Sequence, residues 1–316
     1  MKVLMLPHLR TMRGAAGGIA RVIEGWHRHA NDFDIQYVAE GVPTYDLFVS
    51  HAGAGYITMK EWPQVCACHG LYWANDYHIS RIHLEINARV IAEVRHAKEI
   101  TVPSPWVAKS FQRDMRFTPH IVPHGIDVGE WEHDYENSGF VLWNKNRDSD
   151  ACNPQAVTDL AYRFPETAFV STFATADAPI NVHLTGVMSH EKMKTVIQQA
   201  GVYLSTPRET FCVGVLEAMA SGVPVLGWNI GGNRDLIRHG VNGYLAENRN
   251  LEDLCEGLSY CLEHRDVLGG NGREIAREYS WMSVGEQVAG VYELAMKGHG
   301  RPMVIEPGLY QVVEGE

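Results

Sequence analysis

"PRETFCVGVLEAMASGVPVLGWNIGG", residues 207–232, sets two carboxylates, Glu209 and Glu217, in a run otherwise built largely from Val, Leu, Ala, Met, Gly and Pro. Such a composition belongs in an interior. There an unpaired carboxylate costs on the order of several kcal/mol, so each Glu needs a partner or a proton. Arg208 is the only obvious cation nearby. Either residues distant in sequence satisfy both acids, or a ligand does.

Outward from this run the pattern is strand, loop, helix, strand. "VYLST" (202–206) and "PVLGW" (224–228) are short apolar runs, and the helix between them starts near Val213 and ends at "ASG". That is the unit of a parallel sheet covered by helices. Further strands are expected at 140–144, 168–173 and 181–186, with helices at 154–163, 189–200, 232–238 and 251–263. The first half repeats the alternation: strands at 2–7, 34–38, 46–51, 64–70, 99–104 and 120–125, and helices at 18–30, 81–96 and 105–116. Between the halves, "DVGEWEHDYENSG" (127–139) is polar and turn-rich and reads as a linker. The expected fold class is α/β: two tandem Rossmann-like doubly wound domains, 1–135 and 136–280, facing across a cleft. A C-terminal helix over 281–297 is free to return to the first domain, and 298–316 forms a tail.

The 316 residues suit two domains, and 45% hydrophobic with 21% charged residues is a globular composition. No apolar run approaches the ~18 residues of a membrane span, and "MKVLMLPHLR" reads as a first strand rather than a signal peptide. Six Cys without framework spacing fit reduced thiols, so a cytoplasmic location is expected. "VCACHG" (65–70) lacks a second ligand pair, and no metal site is assigned there. The net charge of −11 is uneven, with 13 Lys and Arg against 15 Asp and Glu through residue 135, and 14 against 23 beyond. The first half also holds 11 of the 16 His.

On this map Glu209 lies in the loop after a strand and Glu217 about one turn inside the next helix. The N–H groups of Phe211 to Gly214 and the positive helix end favour a phosphate. A carboxylate one turn further on suits a ribose diol, since its two acceptor oxygens match two adjacent hydroxyls. With Glu209 recognising a second polyol, the natural ligand of this arrangement is a nucleotide sugar.

The stretch "RETFCVGVLEAMASGVPVLGWNIGGNRDLIRHGVNGYL" resembles the E-x7-E signature of the family 4 retaining glycosyltransferases, which have the GT-B fold. The resemblance extends to "GGIARV" (17–22), "HGL" (69–71), "TVPSPWVAKSF" (101–111), "IVPHGIDVGEW" (121–131) and "VHLTGVMSHEKMKTVIQQAGVYLSTP" (182–207). It implies that Glu217 binds the donor ribose and Glu209 the transferred sugar. Thr210 and Phe211 would offer N–H groups to that sugar, and Val213 and Gly214 to the diphosphate. Gly17 and Gly18 would approach the phosphates from the first domain, and His69 would sit beside the sugar. The family's Arg and Lys pair has candidates in Lys145 and Arg147, with Arg147 preferred. The usual Gly after the Phe is here Cys212, so a change in local backbone or pocket shape is expected. "DSD" (148–150) reads as a solvated loop rather than a metal motif.

The implied reaction moves a sugar from a nucleoside diphosphate, a UDP-sugar being the slight preference, to an acceptor hydroxyl with retention and without a metal or other cofactor. A saccharide or small molecule is the expected acceptor. A hydroxymethylated base in DNA is the second choice, resting on Arg10, Arg13, Lys109, Arg113 and Arg116 in the less acidic half. A nucleotide-sugar epimerase, a phosphorylase and a non-catalytic nucleotide-sugar binder are the alternatives on this architecture.

Overall fold

The computed structural model describes residues 1–12, 17–72, 79–135, 138–145 and 152–298. Two six-stranded parallel sheets carry the chain. The first holds β1 (Lys2–Leu6), β2 (Gln36–Val38), β3 (Leu47–His51), β4 (Val65–Ala67), β5 (Glu99–Val102) and β6 (His120–Ile121), in the order β2-β1-β3-β4-β5-β6. The second holds β7 (Val141–Trp143), β8 (Phe169–Ser171), β9 (Val182–Leu184), β10 (Val202–Ser205), β11 (Val225–Trp228) and β12 (Gly243–Ala246), in the order β12-β11-β10-β7-β8-β9. Both orders reverse direction once, β1 lying between β2 and β3, and β7 between β8 and β10. Crevices at the carboxyl ends of the strands flanking such reversals are where open α/β sheets bind ligands.

The strands are short and apolar because both faces are covered; β3, β4, β5, β7, β10 and β11 are buried throughout. The helices are α1 (Gly18–His29), α2 (Gly55–Met59), α3 (Arg81–His96), α4 (Pro105–Met115), α5 (Gln155–Arg163), α6 (His190–Gln199), α7 (Val213–Ala220), α8 (Asn233–Leu236), α9 (Leu251–Glu263), α10 (Arg265–Ala276) and α11 (Trp281–Lys297). Ser80, Ser104, Ser189, Asn250 and Ser280 cap α3, α4, α6, α9 and α11 by accepting a backbone N–H of the first turn.

The expected strands and long helices all form, with ends shifted by a few residues. Among the strands and α-helices of the described residues, α2, β12 and α10 escaped the sequence reading. "RDVLGGNGREIA" carries three glycines, which oppose a helix on propensity, yet Leu268, Ile275 and Ala276 bury its apolar side and hold α10 together.

The last helix does return. Val284, Val288, Val291, Tyr292 and Ala295 of α11 share one core with Val3, Val49 and Val65 of the first sheet and with Ile23 and Trp26 of α1. The chain crosses between the two sheets twice, side by side, where Ile126 N donates to Tyr279 O at 2.8 Å.

Candidate functional site

The loops after β1, β7 and β10 converge between the sheets. After β1 the chain enters α1 through Gly17, whose φ of 116° is a region that favours glycine. Gly18 follows as the first helical residue, and a Cβ there would stand 3.5 Å from Val213 Cγ2, the first residue of α7. The N-terminus of a first-sheet helix thus abuts the N-terminus of a second-sheet helix. Two positive helix ends share one location.

Between β10 and α7 runs the loop with Glu209, Thr210, Phe211 and Cys212. It is held from both sides. Ser104 Oγ, at the start of α4, donates to Thr210 O at 2.6 Å, and Trp106 N donates to Asp235 Oδ2 of α8 at 3.0 Å. The "GGN" turn (231–233) closes beneath it: Gly232 N donates to Glu209 O at 2.8 Å, and Asn233 Nδ2 donates to the carbonyls of Ser205 and Trp228. Cys212 Sγ donates to Asn233 Oδ1 at 3.1 Å. Cys212 itself has φ 51° and ψ 64°, a left-handed conformation open to glycine and costly for other residues. That conformation is why a glycine suits this position.

The carboxylates of the opening stretch are satisfied from a distance. Lys145, two residues after β7, reaches Glu209 Oε1 with Nζ at 3.3 Å. Lys145 is buried, which is the largest influence and favours its neutral form, but Glu209 together with Tyr203, Cys212 and Cys152 outweighs burial and raises its pKa, so the ammonium stays charged. Glu217 is 4% exposed and receives two nitrogen groups on one oxygen. Arg21 Nε of α1 lies 3.0 Å from Oε1, and His190 Nε2 of α6 lies 3.1 Å from it. Burial would raise the Glu217 pKa, but Arg21, then His190 and Lys145, more than offset it and hold it below the ordinary value. Arg208, the nearby cation, instead lies over the Trp106 ring at 5.4 Å.

Gly214 is fixed by space. A Cβ there would meet Tyr203 Oη at 2.2 Å, and that hydroxyl donates to Asn144 Oδ1 at 2.5 Å. Burial pushes the Tyr203 phenol up to about 12.

His69 follows β4 and enters a row of imidazoles. Its Nε2 is 3.0 Å from His51 Nδ1, its ring centroid is 5.4 Å from that of His124, and His124 packs edge-on against Phe211 at 4.8 Å. Burial lowers His69 to about 4 and carries His51 and His124 in the same direction, so the row is neutral at pH 7. Beside it burial raises Cys68 to about 12 and also raises Cys66, leaving both as thiols.

The structure therefore brings Lys145 to Glu209, Gly18 to Val213, and the Gly17–Gly18 helix to Glu217. His69 reaches the same loop through His124 and Phe211. Arg147 and the "DSD" run lie outside the described residues, as does Arg13. Arg113, one of the cations considered for DNA, is bound by its neighbour Asp114 through two hydrogen bonds of 2.6 and 2.8 Å. Arg21 and His190 were missed by the sequence reading. The sequence shows only that Arg21 is one turn past Gly17 and Glu217 one turn past Val213; that these two first turns face each other appears in the structure alone.

Known proteins resemble this chain in part of its sequence and in its fold. Residues 171–279, which include the loop and α7, match the family described as Glycosyl transferases group 1. An uncharacterized glycosyltransferase of Methanocaldococcus jannaschii is 29% identical over 121 residues, 37% of this chain and 31% of that protein. The match thus spans about a third of that relative's length. Sucrose-phosphate synthase from Thermosynechococcus elongatus superposes with a TM-score of 0.73 at 14% identity, covering 94% of this chain and 99% of that one. HepE of Anabaena, in complex with UDP-glucose, superposes with a TM-score of 0.72 at 15% identity, covering 93% and 99%. The fold is GT-B. No helix among the described residues is long and apolar enough to cross a membrane.

Proposed function

We propose that this chain is a family 4 retaining glycosyltransferase that moves a sugar from a nucleoside-diphosphate sugar to a hydroxyl of a saccharide or small molecule. One observation carries the reading: two helix N-termini, from opposite sheets, meet at Gly18 and Val213, beside a buried Lys145 paired with a half-exposed Glu209 and a buried Glu217. Backbone N–H groups of Gly18, Val213 and Gly214 then converge on a diphosphate. Glu217 receives the ribose hydroxyls. Glu209 orients the transferred sugar, with Thr210 and Phe211 giving backbone N–H groups and His69 standing at its edge. HepE, a relative in fold, binds UDP-glucose, which supports a UDP-sugar as donor.

The chemistry follows from charge. Breaking the sugar–phosphate bond leaves an oxocarbenium-like sugar and moves negative charge onto the leaving diphosphate. Groups that stabilise charge appearing only at that point raise the rate. Lys145 is held protonated by Glu209, and with the two helix ends and Arg147 it supplies that stabilisation without a divalent ion. The leaving phosphate takes the acceptor proton on the same face, which gives retention.

The test is a donor screen by nucleotide release, with UDP-, GDP- and ADP-sugars, a panel of sugar acceptors and hydroxymethylated duplex DNA, with and without EDTA. One donor class is consumed, EDTA has no effect, and the product keeps the donor's anomeric configuration. Glu217→Ala raises the donor KM, because ribose is held before and during reaction, whereas Glu209→Ala lowers kcat more than it raises KM. Inverted product, transfer to DNA alone, or two variants that behave like wild type would each overturn this reading.

A further inference from the structure

Arg21 stands where the site needs a cation and is only loosely engaged. It is the fourth residue of α1, on the turn that begins at Gly18. Its Nε is 3.0 Å from Glu217 Oε1, yet among the described residues this buried nitrogen is not aligned on any acceptor, so the contact is an ion pair without a hydrogen bond at that atom. Glu217 does not depend on Arg21 alone, since His190 Nε2 approaches the same oxygen at 3.1 Å. The charge of Arg21 is also felt by His124, in the same half of the chain. After burial and His69, it is a cause of the depressed pKa of His124, which packs on Phe211 at the mouth of α7. Arg21 thus stands against Glu217 on the first turn of α1, where the two helix N-termini meet.

Building on the function proposed above, we infer that Arg21 is the first domain's side-chain ligand for the donor diphosphate and rests on Glu217 until nucleotide arrives. The exchange is balanced in charge and in hydrogen bonds. Ribose hydroxyls donate to the Glu217 carboxylate, which keeps His190, while the guanidinium turns its planar fork to phosphate oxygens, for which it is well shaped. Nucleotide binding therefore replaces a contact across the cleft with two contacts to one ligand. The donor becomes the bridge between the helices.

The alternative is that Arg21 only neutralises Glu217, with or without ligand. Isothermal titration of the full chain separates the two, using UDP and uridine, and in parallel GDP and guanosine. Arg21→Gln is expected to weaken the preferred diphosphate at least about tenfold and its nucleoside less than about twofold, because only the diphosphate carries the group Arg21 binds. Arg21→Lys restores part of the loss, and Glu217→Gln weakens diphosphate and nucleoside by similar factors, ribose being common to both. Equal losses for both ligands in Arg21→Gln, or a gain for both, overturn the inference. If Arg21→Gln does not fold, Arg21→Lys decides by the same comparison: a loss confined to the diphosphate supports it and an equal loss defeats it. Wild type that takes neither UDP nor GDP moves the same comparison to ADP and adenosine, and wild type that takes none of the three diphosphates refutes the proposed function itself, and with it this inference.

Discussion

Gly214 and Tyr203 show how tightly a single position is held in this site. A methyl at Gly214 would stand 2.2 Å from the Tyr203 hydroxyl, which is itself hydrogen-bonded to Asn144. Gly214→Ala is therefore expected to cost about 1–3 kcal/mol through overpacking. In a Tyr203→Phe background the hydroxyl is gone, and the same change should cost at least about 1 kcal/mol less, because contacting residues couple. Urea unfolding of the four proteins measures this, and additive effects would remove the clash from the account. The imidazoles give the pH dependence. His51, His69 and His124 have folded pKa values below the ordinary 6.5, so the unfolded chain binds more protons as pH falls from about 6.5 towards about 4. Stability present above pH 6.5 is lost through that window, by up to ~1.4 kcal/mol per pH unit for each histidine that only the unfolded chain protonates. Glu217 acts in the same direction at lower pH, since its depressed pKa gives stability that persists above the ordinary 4.5 and is lost as pH falls through the folded value. Stability that is flat between pH 7 and 4.5 would contradict this, and His51→Gln should flatten the upper part of the slope.

Helix α11 is an element whose place depends on contacts far along the chain. Trp281, at its start, fills space left by two glycines: a Cβ at Gly25 would lie 2.0 Å from its ring, and one at Gly125 would lie 2.5 Å from it. Gly25→Ala should displace Trp281 and destabilise the chain by about 1–3 kcal/mol. A control at Gly290, where a Cβ meets nothing within 4 Å, should be neutral or slightly stabilising through helix propensity. Equal denaturation midpoints for the two variants would mean that α11 does not dock through Trp281. The elements themselves were largely legible in the sequence, because short Val- and Leu-rich runs alternating with amphipathic segments have few physical solutions. Such periodicity also located the loop of Glu209 and the helix of Glu217. What it could not show was partnership across the cleft. Arg21 lies 196 positions before Glu217, and no local pattern connects them. α10 was hidden for a related reason: its glycines oppose a helix locally, and only burial of Leu268, Ile275 and Ala276 reverses that.

At the scale of the whole molecule, the two sheets meet through polar contacts at the rim and helix ends at the centre. Ser104 with Thr210 and Trp106 with Asp235 join the rim, while Gly18 against Val213 and Arg21 against Glu217 join the middle. A ligand that takes the centre must replace contacts between domains with contacts to itself. The proposed binding of the donor's diphosphate between α1 and α7 is open to amide hydrogen exchange with and without saturating UDP. Exchange is expected to slow in peptides covering residues 17–21 and 209–217, with β2, β9 and α3 unchanged. Protection confined to other segments, or none at saturation, would contradict it.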